Sequence, residues 1–308
     1  MLQNDEMQPK ASVGSSEMMA PAAGLCAIVL LCASNFLPPS FAQKNVFLFI
    51  LAVSLVSFLV PAAVFGIVNA KKANFLFAPP KKGTVKIVFS GAFLLVFTAL
   101  LVRCVICSSG GTQQSSAGSL IAGMGYFEAL FCYTLLPAVL EELLFRGIIF
   151  PLYEKRCGGL CAIVATSLLF AISHLSGVDF ALYFLSGLIL SVVAYITRSV
   201  FACIALHLIN NITSFYLENS VFRIAAESKS GTLAIFLLAL LVLVCLFWFL
   251  TVLEGVCRKR YLSASSDSFS AKKLFPDDTT KGQAVLRVVL SPFFWCAIVI
   301  YSIYISIA

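Results

Sequence analysis

The sequence predicts an all-α bundle of about eight or nine membrane spans. Three observations carry this. Sixty per cent of the 308 residues are hydrophobic and 11% are charged, with a mean hydropathy of +1.00; a soluble domain has about 25% charged residues. The apolar residues fall in long runs that a bilayer-crossing helix requires. The basic residues collect on alternate connections between those runs.

Nine apolar runs lie near 20–37, 45–69, 85–107, 119–150, 159–175, 180–197, 199–217, 231–253 and 287–307. The polar stretch 1–19 reads as a disordered tail. The first run has a signal-peptide-like sequel in Ser40-Phe41-Ala42, but its one preceding cation, Lys10, is distant and the run is long, which favours a retained helix. Lys71, Lys72, Pro79, Pro80, Lys81, Lys82 and Lys86 form a basic, proline-broken connection after the second run. An uncharged Ser/Gly/Gln loop follows the third. The fourth run would cover ~48 Å at 1.5 Å per residue, against a ~30 Å hydrocarbon core. It must tilt, kink at Pro137 or project from the membrane.

With the N-terminus in the cytoplasm, this threading puts sixteen Lys and Arg inside and four outside (Lys44, Arg103, Arg223, Lys229). Such a bias supports both the orientation and the number of spans. It also explains the +7 net charge without a nucleic-acid partner. The expected units are a tail at 1–19, N-terminal helices at 20–118, a core at 119–217 and C-terminal helices with a basic cytoplasmic loop at 218–308. No internal repeat is found. The 11 cysteines lie mostly in apolar runs and read as packing residues; Cys104 and Cys107 have CxxC spacing but no second pair.

Against this apolar background stands Glu141-Glu142-Leu143-Leu144-Phe145-Arg146. One unpaired charge in hydrocarbon costs ~3 kcal/mol by insertion scales, so three within six residues point to a site. Glu142 and Arg146 are four apart on one helical face, acid first, the favourable order for a pair. Glu141 points about 100° away and is free to act as a general base; a carboxylate in a dry site suits proton abstraction from water. The two histidines of the chain, His174 and His207, also fall in apolar runs. Phe170 shares a face with His174 and packs beside it. His207 shares a face with Asn211, and together they can donate to a developing oxyanion. Depth is consistent for Glu141 and His207, both ~12–14 Å from the inner ends of their runs. His174 is discrepant at ~22 Å, unless the break at Gly158-Gly159 changes where its helix begins. Glu128, thirteen residues before Glu141, reads as a groove-lining or interface-snorkelling acid, the latter favoured.

The motifs Glu141-Glu142-xxx-Arg146, Phe170-xxx-His174 and His207-xxx-Asn211 resemble the three motifs of the CPBP family of intramembrane proteases, over roughly 120–217. That family includes CAAX prenyl endopeptidases and relatives linked to bacteriocin self-immunity. The resemblance implies a hydrolase in which Glu141 and His174 activate water, His207 and Asn211 stabilise the oxyanion, and Glu142 and Arg146 support them. It implies a membrane-embedded or lipid-anchored substrate. The family has been described as zinc-dependent and as metal-free; Glu141, His174 and His207 would be the ligand set if zinc is bound. The location implied is a multi-pass protein of the cell membrane, surrounded by lipid. Two other classes stay open: a non-enzymatic immunity or scaffold protein, and an ion-coupled transporter using the same polar groups as a relay.

Overall fold

In a computed structural model, residues 19–37, 40, 44–69, 76–109, 124–227, 231–263, 286 and 288–307 are described, without the side chains of 217–231 and 260–263. The tail at 1–18, Phe41 and Ala42, Lys71 and Lys72, the loop at 110–123 and the basic stretch 264–285 lie outside the described residues.

Eight apolar helices follow one another: α1 (Met19–Ser34), α2 (Val46–Asn69), α3 (Thr84–Ser108), α4 (Tyr126–Ser173), α5 (Phe180–Thr197), α6 (Val200–Glu227), α7 (Gly231–Ser263) and α8 (Pro292–Ile307). Among the described residues there is no strand, only an isolated bridge between Phe77 and Ser199. Five helices are long and apolar enough to cross a membrane; α1, α8 and the Val200–Tyr216 part of α6 are shorter apolar helices. Because α4 is broken in two, the described residues form nine apolar rods, in keeping with the run count.

The break is at Gly158, whose φ of 84° and ψ of 171° are non-helical and sit where only glycine is comfortable. The N-terminal arm of α4 (126–157) therefore runs seven residues past the expected end at Phe150. Glu154, Lys155 and Arg156 end the apolar run but not the helix. Glu154 instead makes a two-pronged ion pair with Arg198 at the α5–α6 turn, at 2.7 and 2.9 Å. At that same turn, Val200 N donates to Leu76 O and Ser199 Oγ to Ala78 O, so the segment 76–80 straps the base of the bundle.

The helices divide into a centre and a jacket. In the most apolar window of α4, 72% of residues are buried, against 11% for α7. This makes α4 the axis and α7 a lipid-facing wall. The C-terminal arm of α4 (159–173) packs on α5 and α1; α3 packs on α5, α6 and α7; α8 packs on α1. Gly187 lets α5 approach α4 closely, since a Cβ there would stand 3.1 Å from the Cα of Ser167.

α4 begins at Tyr126; the start expected near Ser119 lies outside the described residues. Here Glu128 folds back, its Oε2 accepting from Gly125 N at 3.0 Å. The acid expected in a groove or at the interface caps its own helix, satisfying an N–H that would otherwise lack a partner.

Candidate active site

The three motif stretches meet around Glu142. Its Oε1 accepts from Arg146 Nη1 at 2.7 Å and from His207 Nδ1 at 2.9 Å. Arg146 also donates through Nη2 to Gly187 O at 3.0 Å, and its guanidinium lies 4.5 Å over the Phe170 ring. Both Glu142 and Arg146 are sealed, at 0% exposure. Charges so deep persist only when paired, and here the pair forms in the order the spacing predicts. The attachment of Glu142 to His207, 65 residues on, has no local signature in the sequence.

Glu141 points elsewhere. Its Oε2 is 3.7 Å from His174 Nε2 and has no hydrogen-bond partner, although buried. His174 Nδ1 is 2.8 Å from Phe170 O. A carbonyl only accepts, so Nδ1 carries the proton of the neutral ring and Nε2 presents a lone pair toward Glu141. The exposure gradient separates the groups: the His174 and Glu141 side chains keep 17% and 9%, while Glu142 and Arg146 keep none. The former pair thus lies nearer the surface of the bundle than the latter, although Glu141 Oε2 itself is buried.

The apparent depth mismatch of His174 has a simple origin. Glu141 lies 17 residues before Gly158 and His174 16 after it, so the two arms bring them back to one height. The mismatch came from ending the fourth span at Phe150. Just past His174, Leu175 takes a left-handed φ of 52° and the chain leaves the helix. The imidazole is held in place by neighbours: the edge of Phe170, with centroids 4.7 Å apart, and the face of Tyr183, stacked at 3.6 Å and 22°.

His207 is 6% exposed. Since Glu142 is already the anion of Arg146, His207 Nδ1 is the donor in their contact, and Nε2 faces away from Glu142. Asn211, one turn on, donates through Nδ2 to Thr134 O at 3.3 Å. Phe170 also touches His207, with centroids 5.9 Å apart, so this ring sits between both imidazoles and the arginine. Six of the seven motif residues thus contact one another, and Asn211 lies one turn beyond His207 on α6. Sequence reasoning missed Tyr183, Gly187 and Thr134: an aromatic, a glycine carbonyl and a backbone oxygen, none with a chemical pattern of its own.

Among the described residues no three His, Cys, Asp or Glu side chains are grouped so as to hold one metal ion. Glu141, His174 and His207 therefore do not fit zinc as arranged, Glu141 facing one imidazole and Glu142 gripping the other. The eleven cysteines are free thiols, Cys104 and Cys107 being side by side on α3.

Comparison with known proteins falls on this same stretch. Residues 124–213 match the family model described as Type II CAAX prenyl endopeptidase Rce1-like. No curated protein and no solved structure matches the chain. The matched segment contains the residues of the buried site, and over it the chain is similar to the Rce1-like family of CAAX prenyl endopeptidases.

Proposed function

We propose that this protein is a multi-pass endopeptidase of the cell membrane, N-terminus in the cytoplasm, acting on membrane-embedded or lipid-anchored protein substrates. Cleavage takes place toward the cytoplasmic face and uses water activated by Glu141 and His174. The observation that carries this is the unpartnered, buried Glu141 oxygen facing an unprotonated imidazole nitrogen at 3.7 Å. That gap suits a water bound to both atoms. Glu141 takes a proton from the water as its oxygen bonds to the scissile carbonyl carbon. The carbonyl oxygen gains the negative charge, next to Asn211 Nδ2 and His207 Nε2. For Nε2 to donate, the ring must be an imidazolium with Glu142 as counter-ion. The C–N bond then breaks as the proton held by Glu141 passes to the leaving amine.

Depth supports the choice of substrate. His207 is nine residues beyond Arg198, which is ~13 Å at helical rise. A soluble peptide would have to enter the bilayer, whereas an anchored one is already there.

The test is cleavage of a lipid-anchored reporter by purified protein in proteoliposomes. E141Q and H174A are expected to lose at least ~10²-fold in kcat, and N211A ~10²–10³-fold, with unchanged thermal unfolding. Full activity in E141Q removes Glu141 as the base, and absence of cleavage by the wild-type protein favours a scaffold. Because the acid and imidazoles do not converge on one ion, a chelator is expected to leave the rate unchanged, checked together with elemental analysis.

A further inference from the structure

We infer that Tyr183 is a positioning residue of this site: its ring clamps the plane of the His174 imidazole so that Nε2 stays aimed at Glu141. The inference rests on the proposed hydrolytic role of Glu141 and His174.

His174 needs such a clamp. It is the C-cap that follows Ser173, the last residue of α4, and Leu175 after it has a left-handed φ of 52°. Its one polar tether is Nδ1 to Phe170 O at 2.8 Å, which holds one edge of the ring. Rotation about the bond from Cβ to the ring has broad wells in histidine, so torsional preference does not hold the plane. Phe170 meets the imidazole edge-on, at 61° between planes. Tyr183 covers its face, 3.6 Å between centroids and 22° between planes. With both partners in place, swinging Nε2 away from Glu141 drives the imidazole into the tyrosine ring.

The placement of Tyr183 follows from the fold. It stands one turn before Gly187 on α5. The missing Cβ of Gly187 lets α5 close on Ser167 of α4, and the Gly187 carbonyl binds Arg146. One face of α5 thus braces both halves of the site: a carbonyl on the arginine of the sealed pair, and a ring on the imidazole of the reactive pair. Reacting groups displaced by about an ångström lose on the order of 10² in rate, which sets the size of the effect.

Two measurements on the full-length protein test this. In steady-state cleavage of the reporter, Y183L and Y183M are expected to lower kcat ~10–100-fold with KM nearly constant. Y183F and Y183W, which keep a stacking face, are expected to stay within about threefold of wild type. A loss in Y183F equal to that in Y183L overturns the inference in favour of the hydroxyl. A raised KM at constant kcat overturns it in favour of substrate contact, and wild-type kinetics in Y183M overturn it outright. The second measurement needs no turnover. The chain has only two histidines, so ¹³C-histidine labelling yields two ring signals. That of His174 is expected upfield, from the stacked ring, and to move downfield in Y183M while His207 stays put. An unmoved His174 signal in a folded Y183M protein overturns the clamp. If E141Q is inactive and the Y183 variants are normal, the clamp fails while the hydrolytic site stands; if E141Q is fully active, the site fails first.

Discussion

At the residue scale the decisive fact is that two adjacent glutamates have opposite fates. Glu142 is sealed, with two donors on Oε1 and its Oε2 unpartnered; Glu141 directs its unpartnered Oε2 toward His174. The 100° step between neighbours on a helix turns them toward different partners. Removing one member of a buried pair leaves the other charge uncompensated. R146M is therefore expected to lower stability by ~3–5 kcal/mol, read as thermal or denaturant unfolding in detergent. The double variant E142Q/R146M removes both charges and is expected to recover most of that loss. If it is no more stable than R146M, electrostatic pairing is not what Arg146 contributes. The pairing itself was legible from the four-residue spacing. The third member, His207, was not, because nothing local specifies a partner 65 residues away.

At the element scale, prolines shape the helices that carry these residues. Three π-helical segments occur, Leu55–Leu59, Phe131–Leu135 and Leu143–Ile149, and each ends two residues before a proline: Pro61, Pro137 and Pro151. In each case the residue just before the proline bonds five back: Val60 to Leu55, Leu136 to Phe131, Phe150 to Phe145. Proline has no N–H and its ring crowds the carbonyl four back; the wider turn makes room for it, as inside a membrane every backbone group seeks an internal partner. Two of these turns bracket Leu136–Glu142, so they set the direction in which Glu141 points. P137A lets the first turn tighten. It is expected to keep or raise thermal stability while lowering kcat ~10-fold or more, as Glu141 rotates off His174. An unchanged kcat in a folded P137A protein means the wide turn has no bearing on the site. The kink expected at Pro137 is thus a π turn, and the sharp break falls at Gly158 instead, where the positive φ needs glycine.

For the whole molecule, the bundle puts α4 at its axis and leaves α7 as a lipid-facing wall. The Glu154–Arg198 pair and the 76–80 strap tie together one end of that bundle. On the proposed orientation this is the cytoplasmic end, which the basic residues Lys81, Lys82, Lys86, Lys155, Arg156 and Arg198 favour. An N-terminal tag is accordingly expected to be digested by protease in inverted membrane vesicles and protected in right-side-out ones. The reverse pattern inverts the topology and puts cleavage toward the other face. Residues 124–213 alone match the family model, yet α1, α2 and α3 pack on that core. Phe58 of α2 lies tilted against Phe145, their centroids 6.4 Å apart, and Phe145 in turn meets Phe170 beneath the arginine.

From the sequence alone come the all-α membrane class, the count of apolar runs and the expectation that seven polar and aromatic residues form a site. Each rests on a local rule: apolar run length, alternation of basic connections, and the cost of charge in hydrocarbon. Tertiary structure alone decided that His174 lies level with Glu141, that Glu142 also holds His207, and that Tyr183 and the Gly187 carbonyl complete the site. These depend on where a chain turns back and which backbone oxygens it leaves facing a neighbour. That is a property of packing between segments far apart in sequence, which no local pattern encodes.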